Sequence, residues 1–192
     1  LVLYFYPSGT NQIVGTSNLS GGAWHFCVAT FDGTNGKVYV DGALENSGAL
    51  TAASYTYDNT SIGRNSANVY FFDGQIADAK IFDVALSLSQ IKELYNDSKV
   101  IVPSNVSQTN LKLWCPLVDG SGLVAYDGSG YGNNGGLTNM VTGDWTTGQT
   151  GCPQLVEGYN RPITFNVDAS STDYVDTGDV YAADEMTLVA WV

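Results

Sequence analysis

Positive charge is scarce in this sequence: 7 Lys and Arg stand against 19 Asp and Glu, a formal net charge of −12, and only 14% of residues are charged. A surface this acidic repels nucleic acid and anionic lipid, which removes both from the list of partners. Histidine occurs once and cysteine 3 times, too few for a zinc cluster or a disulfide framework. One bridge with a leftover thiol is the most the cysteines allow. No apolar run approaches the roughly 20 residues that a membrane-spanning helix needs. Disorder is excluded as well, because 44% of the residues are hydrophobic and mean hydropathy is −0.03. At 192 residues the chain can hold one ordinary domain, or two halves of domains, with a core.

What is present is glycine (22 residues), tyrosine (12) and much Ser, Thr and Asn, the turn-rich, aromatic composition of a β-sandwich. Short alternating runs read as strands at Leu1–Tyr6, Gln12–Thr16, Trp24–Phe31, Lys37–Val40, Thr60–Gly63 and Gln75–Phe82. The segments Asp32-Gly33-Thr34-Asn35-Gly36 and Asp41-Gly42 are hairpin connections. One helix is predicted after Ser87: Ser87 and Gln90 form a capping box, and Leu88, Ile91, Leu94 and Tyr95 share a face. Residues 98–109 contain Pro103 and no strong period, and read as a linker. Beyond it the pattern restarts at Leu111–Leu117. A long Gly/Asn/Asp stretch follows from Val118 to Gly136, then strands at Gln154–Val156, Ile163–Val167, Asp173–Asp176 and Met186–Val192. Both ends of the sequence fall inside apolar strands, so a piece of a longer protein is expected.

The run Trp24-His25-Phe26-Cys27-Val28-Ala29-Thr30-Phe31-Asp32-Gly33, with Val38-Tyr39-Val40-Asp41-Gly42 and Ile62-Gly63-Arg64, resembles the laminin G-like (concanavalin A-like) jelly-roll family. Phe72-Asp73-Gly74-Gln75-Ile76 through Ala85-Leu86-Ser87, closing with Ile91-Lys92-Glu93-Leu94-Tyr95, is similar to that family's final strand and helix. The trailing half resembles the family's beginning, from Leu113-Trp114-Cys115-Pro116-Leu117 to the strand Met186-Thr187-Leu188-Val189-Ala190-Trp191-Val192. The resemblance therefore implies an all-β antiparallel sandwich with one short helix in inverted order. Residues 1–97 are the C-terminal half of one module, 98–109 a linker, and 110–192 the N-terminal half of another. Three arrangements fit: a fragment of an array, a permuted sandwich closed in cis, or halves exchanged between chains.

Candidate chemistry follows from particular residues. A glycoside hydrolase would need two facing carboxylates, and Glu45, Glu93, Glu157 and Glu185 each lack a second acid two to four residues along the same strand face. His25 and Cys27 share a strand face, a weak signal for a nucleophile and base. Calcium is the better-founded ion, since Asp119 and the run Asp127-Gly128-Ser129-Gly130-Tyr131-Gly132-Asn133-Asn134-Gly135 offer carboxylate, amide and backbone oxygens. The resemblance points to Asp127 and Asn133, then Asn134 and Asp119, as ligands of a structural Ca²⁺. An acid that many family members carry after the Ile of Gly-x-Ile is replaced here by Ala77. A metal-free loop of Asx turns is the alternative. Loop aromatics Tyr126, Tyr131, Trp145 and Tyr159 are the candidates for stacking on a ligand, whereas Trp24, Phe26, Phe31, Tyr39, Phe82, Trp114 and Trp191 fit core strands. Asn18, Asn59, Asn96 and Asn105 lie in Asn-x-Ser/Thr triplets, which a secretory route would glycosylate.

The reading that unites these features is a non-catalytic recognition or adhesion module, extracellular or exposed on a virion or filament. Its partners would be glycans or glycoproteins and neighbouring modules or chains of the same protein. A structural repeat of a fibre or sheath is the alternative, and a hydrolase-related sandwich the third.

Overall fold

The structure, a computed structural model, describes residues 4–8, 11–50, 60–64, 70–145, 163–165, 172–178, 180 and 185–192. In chain order the elements are β1 (Tyr4–Ser8), β2 (Asn11–Val14), β3 (Phe26–Phe31), β4 (Asn35–Val40), β5 (Ala43–Ala49), β6 (Ser61–Ile62) and β7 (Gly74–Phe82). Then come α1 (Leu88–Asn96), β8 (Leu111–Cys115), β9 (Val124–Ala125), β10 (Gly135–Thr138), β11 (Ile163–Phe165), β12 (Tyr174–Asp176) and β13 (Met186–Trp191). The architecture is an antiparallel β-sandwich of jelly-roll type with one α-helix among the described residues. Its larger sheet runs β11-β7-β13-β3-β4-β5, with β8 also paired to β7, and a smaller sheet runs β6-β12-β10-β9.

The two halves of the sequence meet in the larger sheet. Met186–Trp191 of β13 pairs residue for residue with Phe31–Phe26 of β3, and Thr187–Trp191 pairs on the other side with Phe82–Ala77 of β7. His25 and Val192 continue the first ladder, exchanging backbone hydrogen bonds of 2.8 and 2.9 Å. Alternation along these central strands sorts side chains to opposite faces, each of which is covered. Phe26, Val28 and Val189 face α1, whereas Ala29 and Phe31 face Ile13 of β2, with Leu188 packed against them. All six residues of β3 are buried in consequence. The small sheet closes the inner face, where Ala125, Leu137 and Val175 pack against Ile76, Ala79, Leu113 and Cys115.

Local chemistry explains the turns. Asp41 (φ 51°) and Gly42 (φ 74°) both take left-handed backbone, the requirement of a two-residue Asp-Gly hairpin. A Cβ on Gly42 would stand 3.0 Å from the Tyr95 ring, so the helix also needs a glycine there. At α1 the Ser87 hydroxyl accepts from Gln90 N–H while the Gln90 side chain accepts from Ser87 N–H, as the sequence predicts. Ile91 and Leu94 are the helix's buried residues. Residues 98–109 are folded onto this layer: Val100, Ile101, Val102 and Val106 pack against the Phe26 cluster, and Ser104 donates to the Glu93 carboxylate from N–H (3.0 Å) and hydroxyl (2.9 Å).

Several expectations need correction. The strand expected from Trp24 begins at Phe26. The apolar-poor stretch 118–136 contains β9 and the start of β10, whose identity comes from pairing with each other and with β12. Polar β5 was missed because it is a largely exposed edge strand with no hydrophobic alternation. The strand expected at Gln154–Val156 lies outside the described residues.

β7 carries a bulge. Between the Val189–Lys80 and Trp191–Ala77 pairs one residue of β13 opposes two of β7, and Asp78 has φ 56°. The extra residue shifts the alternation, so that Ile76 and Ala79 both enter the inner core while Asp78 and Lys80 contact each other as an ion pair, 1% and 2% exposed as residues. Trp114 Nε1–H donates to Asp78 Oδ1 at 2.9 Å. Burial raises the Asp78 pKa and lowers that of Lys80, each against the pull of its partner. The pair is therefore a matter of mutual satisfaction in a dry site, and its members cannot be removed singly. Lys80→Met should cost about 3–5 kcal/mol in urea unfolding by stranding Asp78, and Asp78→Asn added to Lys80→Met, which removes the charge but tolerates left-handed backbone and still accepts from Trp114, should recover most of it. Equal losses in the single and double variants would refute this.

Candidate functional site

The loop that the sequence marks for calcium is tied to the edge of β8 by its own hydrogen bonds. Asp127 Oδ1 accepts from Trp114 N–H (3.0 Å) and Ser129 N–H (2.8 Å), and Oδ2 from Ser129 hydroxyl (2.8 Å) and Asn133 N–H (2.9 Å). Asn134 Oδ1 accepts from Asp127 N–H at 2.9 Å, and Asn133 Nδ2 donates to the Lys112 carbonyl at 2.9 Å. Gly128 N–H donates to the Trp114 carbonyl at 2.7 Å, and a Cβ on Gly128 would lie 2.5 Å from the Trp114 ring. The loop thus completes the hydrogen bonding of β8 where, among the described residues, no further strand continues the sheet. Three of the side-chain oxygens offered to a cation already accept hydrogen bonds, so a hard ion would have to compete with those N–H and O–H donors for them. Asp119 Oδ2 alone in this set is buried without a hydrogen-bond partner, and burial raises the Asp119 pKa. Among the described residues no three His, Cys, Asp or Glu side chains are placed to hold a metal ion.

The aromatic candidates separate. Trp145 is 6% exposed and belongs to the inner core with Leu137, Met140 and Val175, its Nε1–H donating to the Gly122 carbonyl at 2.9 Å. It is a core residue and not a stacking platform. A ring of that area in a short, Gly-flanked turn gains most by packing inward. Tyr131 is 52% exposed, but its hydroxyl donates to the Thr109 carbonyl (3.0 Å) and Lys112 Nζ sits 4.8 Å from its ring centre. Tyr126 is exposed beside β9. Tyr159 lies outside the described residues.

The groups that could suggest catalysis are engaged in holding the fold. Cys27 and Cys115 are buried free thiols, pushed up to about 12 by burial, which deprives them of nucleophilic character at neutral pH. His25 Nδ1 instead meets Asp41 Oδ2 at 2.9 Å, while Asp41 Oδ1 accepts from Phe26 N–H. Glu45 accepts from Thr16 and Ser17 N–H, and Glu93 from Ser104.

Sequence reasoning missed a cleft of about 880 Å³ lined by described residues. Trp24, Arg64, Tyr70, Phe71, Phe72 and Asp73 are among its walls, with Gln75 and Val192 at one side. Its shape is fixed by three local features. Phe72 N–H donates to the Gly63 carbonyl at 2.7 Å, and Arg64 bridges Phe71. The Arg64 guanidinium lies 3.6 Å above the Tyr174 ring, with Nε–H on Ser61 Oγ at 3.0 Å. Gly74, at φ 156°, lets the Phe72 ring lie against the backbone, where a Cβ would approach to 2.9 Å. Tyr70 is 75% exposed. The readable signal was the aromatic triplet Tyr70-Phe71-Phe72 ahead of β7, too long a run for one side of a strand. Trp24 gave none, because it abuts the apolar run of β3.

Asp127 supplies a pH test. Burial pushes its pKa up, but the N–H groups of Trp114, Ser129 and Asn133 and the Ser129 hydroxyl together outweigh that and hold it below the ordinary 3.8. A depressed carboxylate adds stability that is present above pH 3.8 and is lost as pH falls through the folded value. The thermal midpoint of Asp127→Asn should lie below that of the parent at neutral pH, with the gap closing under acid conditions. Calcium and a chelator should leave the parent's midpoint unmoved; a rise with calcium would show that the loop rearranges around an ion.

A family model described as the concanavalin A-like lectin/glucanases superfamily, laminin G type, matches residues 2–92. No curated protein and no solved structure matches the chain. The matched segment runs from β1 through most of α1 and contains β3, β7 and, among the walls of the cleft, Trp24, Arg64 and Tyr70 to Asp73. The mostly β architecture and the one α-helix among the described residues are consistent with a jelly-roll sandwich, and laminin G-like domains are generally non-catalytic. Over residues 2–92, just under half of its length, the chain is similar to the laminin G-like division of the concanavalin A-like lectin and glucanase superfamily.

Proposed function

We propose that this chain is a non-catalytic recognition module of the adhesion type, acting outside the cell or on an exposed surface and engaging glycans or glycoproteins. The observation that carries the reading is the aromatic cleft: Trp24, Tyr70, Phe71 and Phe72 converge on one concavity beside Arg64 and Asp73. Concave, mostly apolar surfaces with a few placed polar groups are where small ligands bind. The similarity of residues 2–92 to a superfamily of lectins and glucanases supports a sugar over other ligands. Asp41, Glu45, Asp78, Glu93 and Asp127 each accept hydrogen bonds or an ion pair within the fold, which favours binding over hydrolysis. Exposure of Asn18, Asn96 and Asn105 in their Asn-x-Ser/Thr triplets is compatible with a secreted life. The loop at Asp127 acts in this reading as a metal-free clasp on β8. On a glycan array the full chain should retain at least one class of sugar; binding to none would remove the recognition function.

One observation bears on the alternative of a structural repeat completed between chains: β13 lies between β3 and β7, strands of the other half of the same chain. We propose that residues 1–97 and 110–192 are complementary parts of one sandwich, closed within a single chain. Light scattering should give the monomer mass of 20.4 kDa. A stable dimer would favour halves exchanged between neighbouring chains.

A further inference from the structure

We propose that the cleft between β6 and β7 is a saccharide site selective for an uncharged sugar, stacked on Tyr70 or Trp24 and hydrogen-bonded at the Arg64–Asp73 rim. This deepens the recognition reading and rests on it. The cleft has a floor of rings and a rim of mixed polarity. Phe71 and Phe72 are half-buried and Trp24 lies partly sheltered, whereas Tyr70 stands 75% exposed at the opening. A pyranose presents the same duality, with a face of C–H groups that packs on an aromatic plane and an edge of hydroxyls that both donate and accept.

The charges on the rim select the class. Arg64 donates only, Asp73 accepts only and the Gln75 amide does both, so the three together match hydroxyl groups better than a carboxylate or sulfate. An anion would meet one cation and one carboxylate, a rim of no net charge, on a chain of net charge −12. Arg64 is moreover committed in part to the Tyr174 ring and Ser61, which fixes the direction of its fork. A purely apolar ligand would bury Arg64 and Asp73 without return. The volume of about 880 Å³ suits one or two sugar rings or the end of a longer glycan.

The test is titration of the full chain, followed by tryptophan fluorescence and calorimetry. The probes are neutral gluco-, galacto-, manno- and xylo-oligosaccharides alongside sulfated and uronic-acid oligosaccharides. At least one neutral sugar should bind and perturb the fluorescence, with affinity changing less than about twofold between roughly 50 and 500 mM salt. Tyr70→Ala should weaken binding by about tenfold, and Asp73→Ala should weaken it by about fivefold. Both side chains are exposed, so the thermal midpoint of each variant should stay at the parent's value, separating lost binding from lost folding. A chain that binds only anionic sugars, with a steep salt dependence, overturns the neutral-sugar assignment and leaves recognition standing. Neutral sugar held equally by the parent and both variants overturns the location. Binding of no oligosaccharide of either kind overturns the site and the recognition reading together.

Discussion

The backbone ladder between β13 and its two neighbours is the constraint on which the rest of this protein depends. A six-residue strand from the end of the sequence is inserted between two strands from its first half, and its odd and even residues complete different cores. Val189 joins Phe26 and Val28 beneath the helix, while Met186 and Leu188 join Phe31 and Val38 beneath the β1–β2 hairpin. Thr187 ties the insertion to the following chain, donating to the Val84 carbonyl and accepting from Leu86 N–H. Without β13, β3 and β7 would each present an unpaired edge and half of an apolar surface, a combination that soluble sheets avoid.

The bulge at Asp78 extends this logic to polar groups. One extra residue turns a carboxylate toward Lys80 under the Trp114 ring and keeps Ile76 and Ala79 together on the inner face. Trp114 then connects this buried pair to the surface loop, since its backbone is bound by Asp127 and Gly128 and its ring is covered by the Gly128 backbone. A loop rich in Asp, Asn and Gly is thereby a clasp on a strand edge. The residue types that suggest a cation are the same ones that satisfy backbone donors in tight turns, which is why composition alone could not separate the two uses.

The distribution of aromatic residues shows where function detached from stability. Phe26, Tyr95 and Trp191 cluster with ring centres 5.1–5.8 Å apart beneath the helix, and Trp145 fills the inner core. The rings of the cleft are held by backbone geometry at Gly63, Arg64 and Gly74, which leaves Tyr70 outside. Loop position was thus a poor guide to exposure for Trp145, and proximity to a strand was a poor guide to burial for Trp24.

From the sequence alone one could read the strands of period two, the Asp-Gly hairpin at Asp41, the capped helix after Ser87, the all-β class and the family resemblance. These are local properties, set by alternation, by left-handed turn residues and by contacts three or four positions apart. Tertiary structure decided the pairing of β13 with both β3 and β7, the strand character of β5, β9 and β10, the inward turn of Trp145 and the convergence of Trp24 with Tyr70 on one cleft. Each of these rests on contacts between residues far apart in the chain, and a pattern of neighbours carries no information about which distant edge or ring will meet it.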